Sequence, residues 1–74
     1  MQLSLLPLGS KAKVSKLNVY GNIRRRMLDL GLIPDTTVET VQISPAGDPK
    51  AYYIRGAVIA LRKEEASKVQ VQIL

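Results

Sequence analysis

KAYYIRGAVIALRKEEASKVQVQI, Lys50–Ile73, is the stretch whose reading decides the fold. Lys50–Arg55 and Ala57–Arg62 are rich in β-branched and aromatic residues and meet at Gly56, the pattern of a hairpin. Across it, Tyr52, Ile54, Val58 and Ala60 are expected to share faces. Tyr52 and Tyr53 are adjacent on one strand, so they point to opposite faces and at least one belongs to the core. Lys63–Ser67 has room for one helical turn. Val69, Val71 and Ile73 then alternate with Gln70 and Gln72, the cleanest period-2 pattern in the chain, which predicts a closing strand.

Working outward, SPAGDP at Ser44–Pro49 supplies fixed and permissive backbone torsions in one short run and predicts a reversal. Thr36–Ser44 before it reads as a strand. Its Val38 and Val41 fall on opposite faces, which implies a bend. Lys11–Asn18 is a first strand with Ala12 and Val14 on one face, and the phase shift at Leu17 and Val19 predicts a bulge. LSLLPLGSK at Leu3–Lys11 holds too many leucines for a loose tail and is expected to pack on the core.

Between the first two strands lies GNIRRRMLDLGLIPD, Gly21–Asp35, which reads as a short helix. Gly31 suits the left-handed position past its end, with Leu32 folded back on Met27 or Leu28, and Pro34 prevents continuation. Asn22 is the candidate cap. Ile23, Met27 and Leu30 form one stripe, and the three arginines fan to different sides. Arg24 falls in the apolar sector, so its stem is expected to pack there. Arg25 is expected to pair with Asp29 one turn on, and Arg26 has no local role. Arginine is a good helix former, so the triplet reads first as donors to tertiary salt bridges. Cations in a first turn oppose the helix dipole by ~0.3–1 kcal/mol each when exposed, which is the motive for the other reading, of Arg25 and Arg26 as partner contacts. Five short strands with one short α-helix inserted between the first and second give a mainly β fold, a closed or nearly closed small barrel.

Seventy-four residues fit a single domain, 1–74, with a thin core. There is no Cys, so no disulfide or thiolate site supplements it, and no apolar run approaches the ~18 residues that span a bilayer. Met1–Leu8 lacks the features of a signal peptide. The chain is expected to be complete, soluble and cytoplasmic. Zero His and zero Cys exclude a nucleophile–histidine pair and leave no imidazole or thiolate for a transition metal. Ser10 with Lys11 or Lys13, and Ser67 with Lys68, are only loop and strand neighbours. Glu64 and Glu65 read as solvated surface charge, and no Gly and Lys phosphate loop is present. No catalysis, cofactor or metal site is expected.

The net charge of +5 favours acidic partners without naming them. Small barrels and basic charge often accompany nucleic-acid binding, which is the alternative function. Against it, single-strand binders stack bases on several rings, and this chain has three Tyr and no Phe or Trp. No nucleic acid is therefore expected as partner.

With these elements placed, the chain resembles the ferrous iron transport protein A (FeoA) family of bacteria, small SH3-like barrels. The resemblance rests on RRRMLDLGLIP (Arg24–Pro34), SPAGDP (Ser44–Pro49) and YIRGAVIALRKEEASKVQV (Tyr53–Val71), in that order and at similar distances. Asp35 departs from the family's pattern, which often has Gly after the Pro, and this bears on the turn type there. The resemblance implies a cytoplasmic accessory protein of ferrous iron uptake that acts on the membrane transporter FeoB, whose GTP-binding domain faces the same side. It would be peripheral to the membrane through that partner only. Transition metal ion binding is implied at the family level alone. Arg25 and Arg26 are the candidate contacts for acidic groups, and the Tyr52 side of the hairpin is a second candidate face. From its free-standing length, the chain is expected to differ from the similar barrel that ends iron-dependent repressors, which follows a DNA-binding domain.

Overall fold

In the computed structural model, which describes residues 1–74, Lys50–Ile73 folds as two strands, one helical turn and a closing strand. The strands are β1 (Lys11–Leu17), β2 (Thr37–Ile43), β3 (Lys50–Ile54), β4 (Ala57–Leu61) and β5 (Val69–Ile73). Helix α1 (Gly21–Asp29) joins β1 to β2, and α2 (Lys63–Ala66) joins β4 to β5. One antiparallel sheet runs β4-β3-β2-β1-β5. The two expected irregularities are present, as register shifts between Val14 and Lys16 in β1 and between Thr40 and Gln42 in β2. A bulge bends its strand and adds twist, which lets a five-stranded sheet curl around a core.

The hairpin corrects one expectation. Its turn has two residues, Arg55 and Gly56, both with positive φ, the conformation whose twist matches paired strands. Tyr52 therefore faces Ile59, Ile54 faces Ala57, and Tyr53 faces Val58. Val58 and Ala60 share the outer face with Tyr53 and Ala51. Centring the turn on Gly56 alone slips the register by one residue, and such a slip exchanges the faces.

The inner faces of β1, β2, β3 and β5 contribute Ala12, Val14, Val38, Ile54, Tyr52, Val69 and Val71 to the core, with Leu61 from β4. Of the opening leucines expected to pack there, Leu3 and Leu6 are fully buried, while Leu5 and Leu8 are each 59% exposed. That opening segment covers the core, running from the free side of β5 to β2. Met1 and Val71 exchange main-chain hydrogen bonds of 2.9 and 2.7 Å along the free side of β5. A 3₁₀ turn at Leu3–Leu5 then carries the chain to β2. There the Thr40 hydroxyl donates to the Leu6 carbonyl at 3.0 Å and the Gly9 N–H donates to the Thr40 carbonyl at 2.8 Å. Lys50 Nζ donates to the Ser4 carbonyl at 2.7 Å.

Helix α1 ends as its sequence predicts. Gly31 has φ +101°, its N–H donates to Leu28 O at 3.0 Å, and the Leu32 N–H donates to Met27 O at 3.1 Å. This paired bonding satisfies two end carbonyls and seats Leu32 in the core beside Met27. Its start does not. Tyr20, not Asn22, occupies the cap position, and no side chain caps the helix.

Asp35 has φ +73° and follows Pro34, and the Thr36 N–H donates to Ile33 O at 3.1 Å, the pattern of a type II turn. The turn is pinned to β1 by Asp35 N–H to Val14 O at 2.7 Å and Val14 N–H to Thr36 O at 2.9 Å. A left-handed L-residue costs ~1–2 kcal/mol, and the unfolded-chain freedom of Gly offsets ~0.4–1 kcal/mol of that. Asp35→Gly is therefore expected to stabilise the fold by ~0.5–1 kcal/mol, read as a higher urea midpoint with an unchanged slope.

Candidate partner-binding surface

Helix α1 touches the barrel chiefly through its last turn. Met27 is its single buried residue, while Ile23 is 53% exposed and Tyr20, just before the helix, 88%. The helix thus stands with its first turn in solvent. Arg24, expected to pack its stem in the apolar sector, is exposed because that sector stays open at this end. The expected Arg25–Asp29 pair does not form, in keeping with the small worth of an exposed pair in the less favourable order. Arg24 and Arg25 are free for an outside group.

Arg26 has no partner on its own helix and takes the tertiary salt-bridge role expected of the triplet. Its guanidinium donates to Glu65 Oε2 from α2, the one ion pair in the molecule. Glu65 also accepts the Arg62 N–H at 3.1 Å, so it caps the start of α2 while bridging to α1. Glu65 is therefore not simply solvated charge. The Arg26 hydrogen bond first, and the Arg62 N–H second, hold its carboxyl below the usual carboxylate range. A lowered folded-state pKa means that this contribution to stability is present above the ordinary carboxyl pKa and is lost as pH falls through the folded value. A groove of about 550 Å³ lies between the helices, lined by Val19, Ile23 and Met27 with Arg26, Arg62, Glu64, Glu65 and Lys68.

The second candidate face needs correction. Tyr52 is fully buried, so it cannot meet a partner, because the two-residue turn directs it inward and Tyr53 outward. Tyr53 is 47% exposed and sits beside Val58, which is 64% exposed. The sequence showed that the two rings diverge but not which turned in. Burial pushes the Tyr52 phenol up to about 12, with nearby Asp48 adding to the shift. A raised pKa keeps the folded ring neutral while the unfolded one ionises from pH ~10. Stability is expected to fall as pH rises from ~10 towards 12, by on the order of 2 kcal/mol. Denaturation midpoints across that range, flattened in Tyr52→Phe, check this.

With Tyr52 in the core, Tyr20 and Tyr53 are the two rings left at the surface, on separate elements. They form no continuous stacking platform. No group of three His, Cys, Asp or Glu comes together, and the chain holds no imidazole or thiolate donor. No helix is long and apolar enough to cross a membrane.

A family model described as the FeoA domain matches residues 1–73. The chain belongs to the FeoA domain family. A curated relative from Porphyromonas gingivalis, an Fe(2+) transport protein A/Fe(2+) transporter FeoB fusion protein, is 34% identical over all 74 residues, which span 9% of its length. The solution structure of iron(II) transport protein A from Clostridium thermocellum superposes with a TM-score of 0.96 at 35% identity, covering 100% of this chain and 46% of that one. Stenotrophomonas maltophilia FeoA, described as a prokaryotic SH3 domain protein and solved with zinc, gives 0.85 at 34% identity, covering 97% and 89%. The fold is thus SH3-like, as the FeoA resemblance implied. The present chain lacks the nitrogen and sulfur donors of an ordinary zinc site, so a zinc site is not carried over from that relative.

Proposed function

We propose that this chain is a cytoplasmic accessory protein of bacterial ferrous iron uptake. It binds the cytoplasmic GTP-binding domain of a FeoB-like transporter and modulates transport through that contact, without catalysis of its own. The observation that carries this reading is the fusion relative, in which a segment similar to the whole of this chain is joined to a FeoB transporter. Covalent linkage holds two modules at a millimolar effective concentration. Where the two modules are not linked, the surface of this domain must supply the affinity.

Arg25, with Arg24 beside it, offers unpaired cations to acidic groups on the partner, and the exposed Ile23 and Tyr20 add apolar area. Arg26 contributes from its place over Glu65. Modulation follows if the chain binds one conformation of the GTP-binding domain better than another, since a ligand shifts an equilibrium only by that difference.

Binding of the full chain to the transporter's isolated GTP-binding domain tests this. Arg25→Glu is expected to weaken it about tenfold, mainly through the association rate and with reduced salt dependence. Arg26→Glu alone also breaks the link to Glu65, so the swap Arg26→Glu with Glu65→Arg, which rebuilds the pair, separates partner contact from fold. Unchanged affinity in Arg24→Glu with Arg25→Glu would remove α1 as the contact. No binding in any nucleotide state would overturn the function itself.

A further inference from the structure

The two edges of the sheet are finished differently. Along β5 the outer side is covered by Met1 and Gln2, which pair with Val71 and Gln70. Nothing pairs with the outer side of β4, which ends the sheet order. Soluble proteins usually blunt such an edge with a lysine, a proline or a bulge. Here β4 reads Ala57-Val58-Ile59-Ala60-Leu61 and carries none of these, and its pairing with β3 is regular throughout.

We propose that β4 is a docking strand for an extended protein segment that adds to the sheet, apolar along its centre and acidic at its ends. In a hairpin with a two-residue turn, the pair flanking the turn is hydrogen-bonded and the pairs then alternate. Ala57, Ile59 and Leu61 thus bond to β3, and the N–H and C=O groups of Val58 and Ala60 point away from the sheet. They make none of the main-chain bonds formed outside the strands and helices. Four backbone groups at strand spacing are the template for strand addition. Beside them, exposed Val58 and Tyr53 with the small Ala51 and Ala60 offer a shallow apolar bed for alternate side chains of the arriving strand.

Charge selects the occupant. Arg55 stands exposed at one end of β4, Arg62 and Lys63 at the other, and none of the three is in an ion pair. A second copy pairing antiparallel about Ile59 would set Arg62 of one chain against the Arg55–Gly56 turn of the other, at both ends. Like charges opposed in this way disfavour the symmetric dimer. Acidic residues flanking an incoming apolar strand meet the cations instead. This inference concerns a surface separate from α1 and stands whether or not the transporter is the partner.

Amide-resolved NMR of the full chain with two synthetic nine-residue peptides tests it. Both alternate Thr and Val over five residues, one between pairs of Glu and the other between pairs of Lys. With the Glu-ended peptide at saturation, exchange of the Val58 and Ala60 amides is expected to slow at least tenfold, while that of Ala57 and Ile59 hardly changes. The Lys-ended peptide is expected to bind at least tenfold more weakly at low salt. Ala60→Pro removes a donor that points away from β3, a change tolerated on an edge, and should weaken binding at least fivefold. Val58→Lys, the ordinary protective residue, should do the same and keeps the test decisive if the proline variant does not fold. Absent binding, equal binding of both peptides, or full affinity in both variants would overturn the proposal. So would sedimentation showing a dimer of the free chain that Ala60→Pro or Val58→Lys dissolves, since the edge would then belong to a second copy.

Discussion

Deletion of Met1–Leu6 is expected to unfold the domain. Leu3 and Leu6 are both at 0% exposure, and burying a leucine contributes ~1.5–3 kcal/mol. The deletion also strips the Thr40 hydroxyl, itself fully buried, of its acceptor at Leu6 O. An unsatisfied buried polar group costs ~1–3 kcal/mol. Together these come to ~4–9 kcal/mol, against a total stability of ~4–11 kcal/mol for a chain of this size at ~0.05–0.15 kcal/mol per residue. Loss of a cooperative thermal transition and of dispersed amide signals would register the effect. Leu5→Ala is the control, because Leu5 is 59% exposed and should change little. A truncated chain that melts like the parent would show that the segment decorates the barrel rather than covering its core.

Gly31→Ala is expected to destabilise by ~2–3 kcal/mol. A side chain at φ +101° is strained wherever it points, by ~1–2 kcal/mol. Here a Cβ would also meet Arg55 Cδ at 2.8 Å and Ile54 Cγ2 at 3.2 Å. Arg55 is exposed and can swing away, but Ile54 is core and cannot. Gly47→Ala separates the two effects, since Gly47 has φ +85° and open space around it, so it should show strain of ~1–2 kcal/mol without the clash. Urea unfolding of both variants measures the difference, and equal losses would mean that the close approach of α1's end to β3 costs nothing.

Much of this architecture was legible because local signals agreed with it. The clean alternation of Val69, Val71 and Ile73, the Gly31 helix stop and the phase shifts at Leu17 and Val41 each reappear as a strand, a C-cap or a bulge. What escaped the sequence depends on pairing register or on distant contacts. One residue in the β3–β4 turn decided whether Tyr52 or Tyr53 turned inward. Arg24 was misplaced because periodicity gives a helix its apolar sector but not how much of that sector the barrel covers. Arg26 and Glu65 meet across 39 positions, beyond any local spacing rule. The nearer half of that bridge had a signal, since Glu65 lies three residues after Arg62 at the start of a helical turn, the spacing at which a Glu reaches back to a cap N–H.

The central claim, a protein contact that modulates a ferrous iron transporter, is tested most directly by calorimetric titration of the full chain into the transporter's GTP-binding domain. The domain should be held in turn with GDP and with a non-hydrolysable GTP analogue. The expected result is a complex whose affinity differs between the two states, because equal affinity shifts no equilibrium. No complex in either state, with the chain instead retained on nucleic acid in a manner that falls steeply with salt, would contradict it.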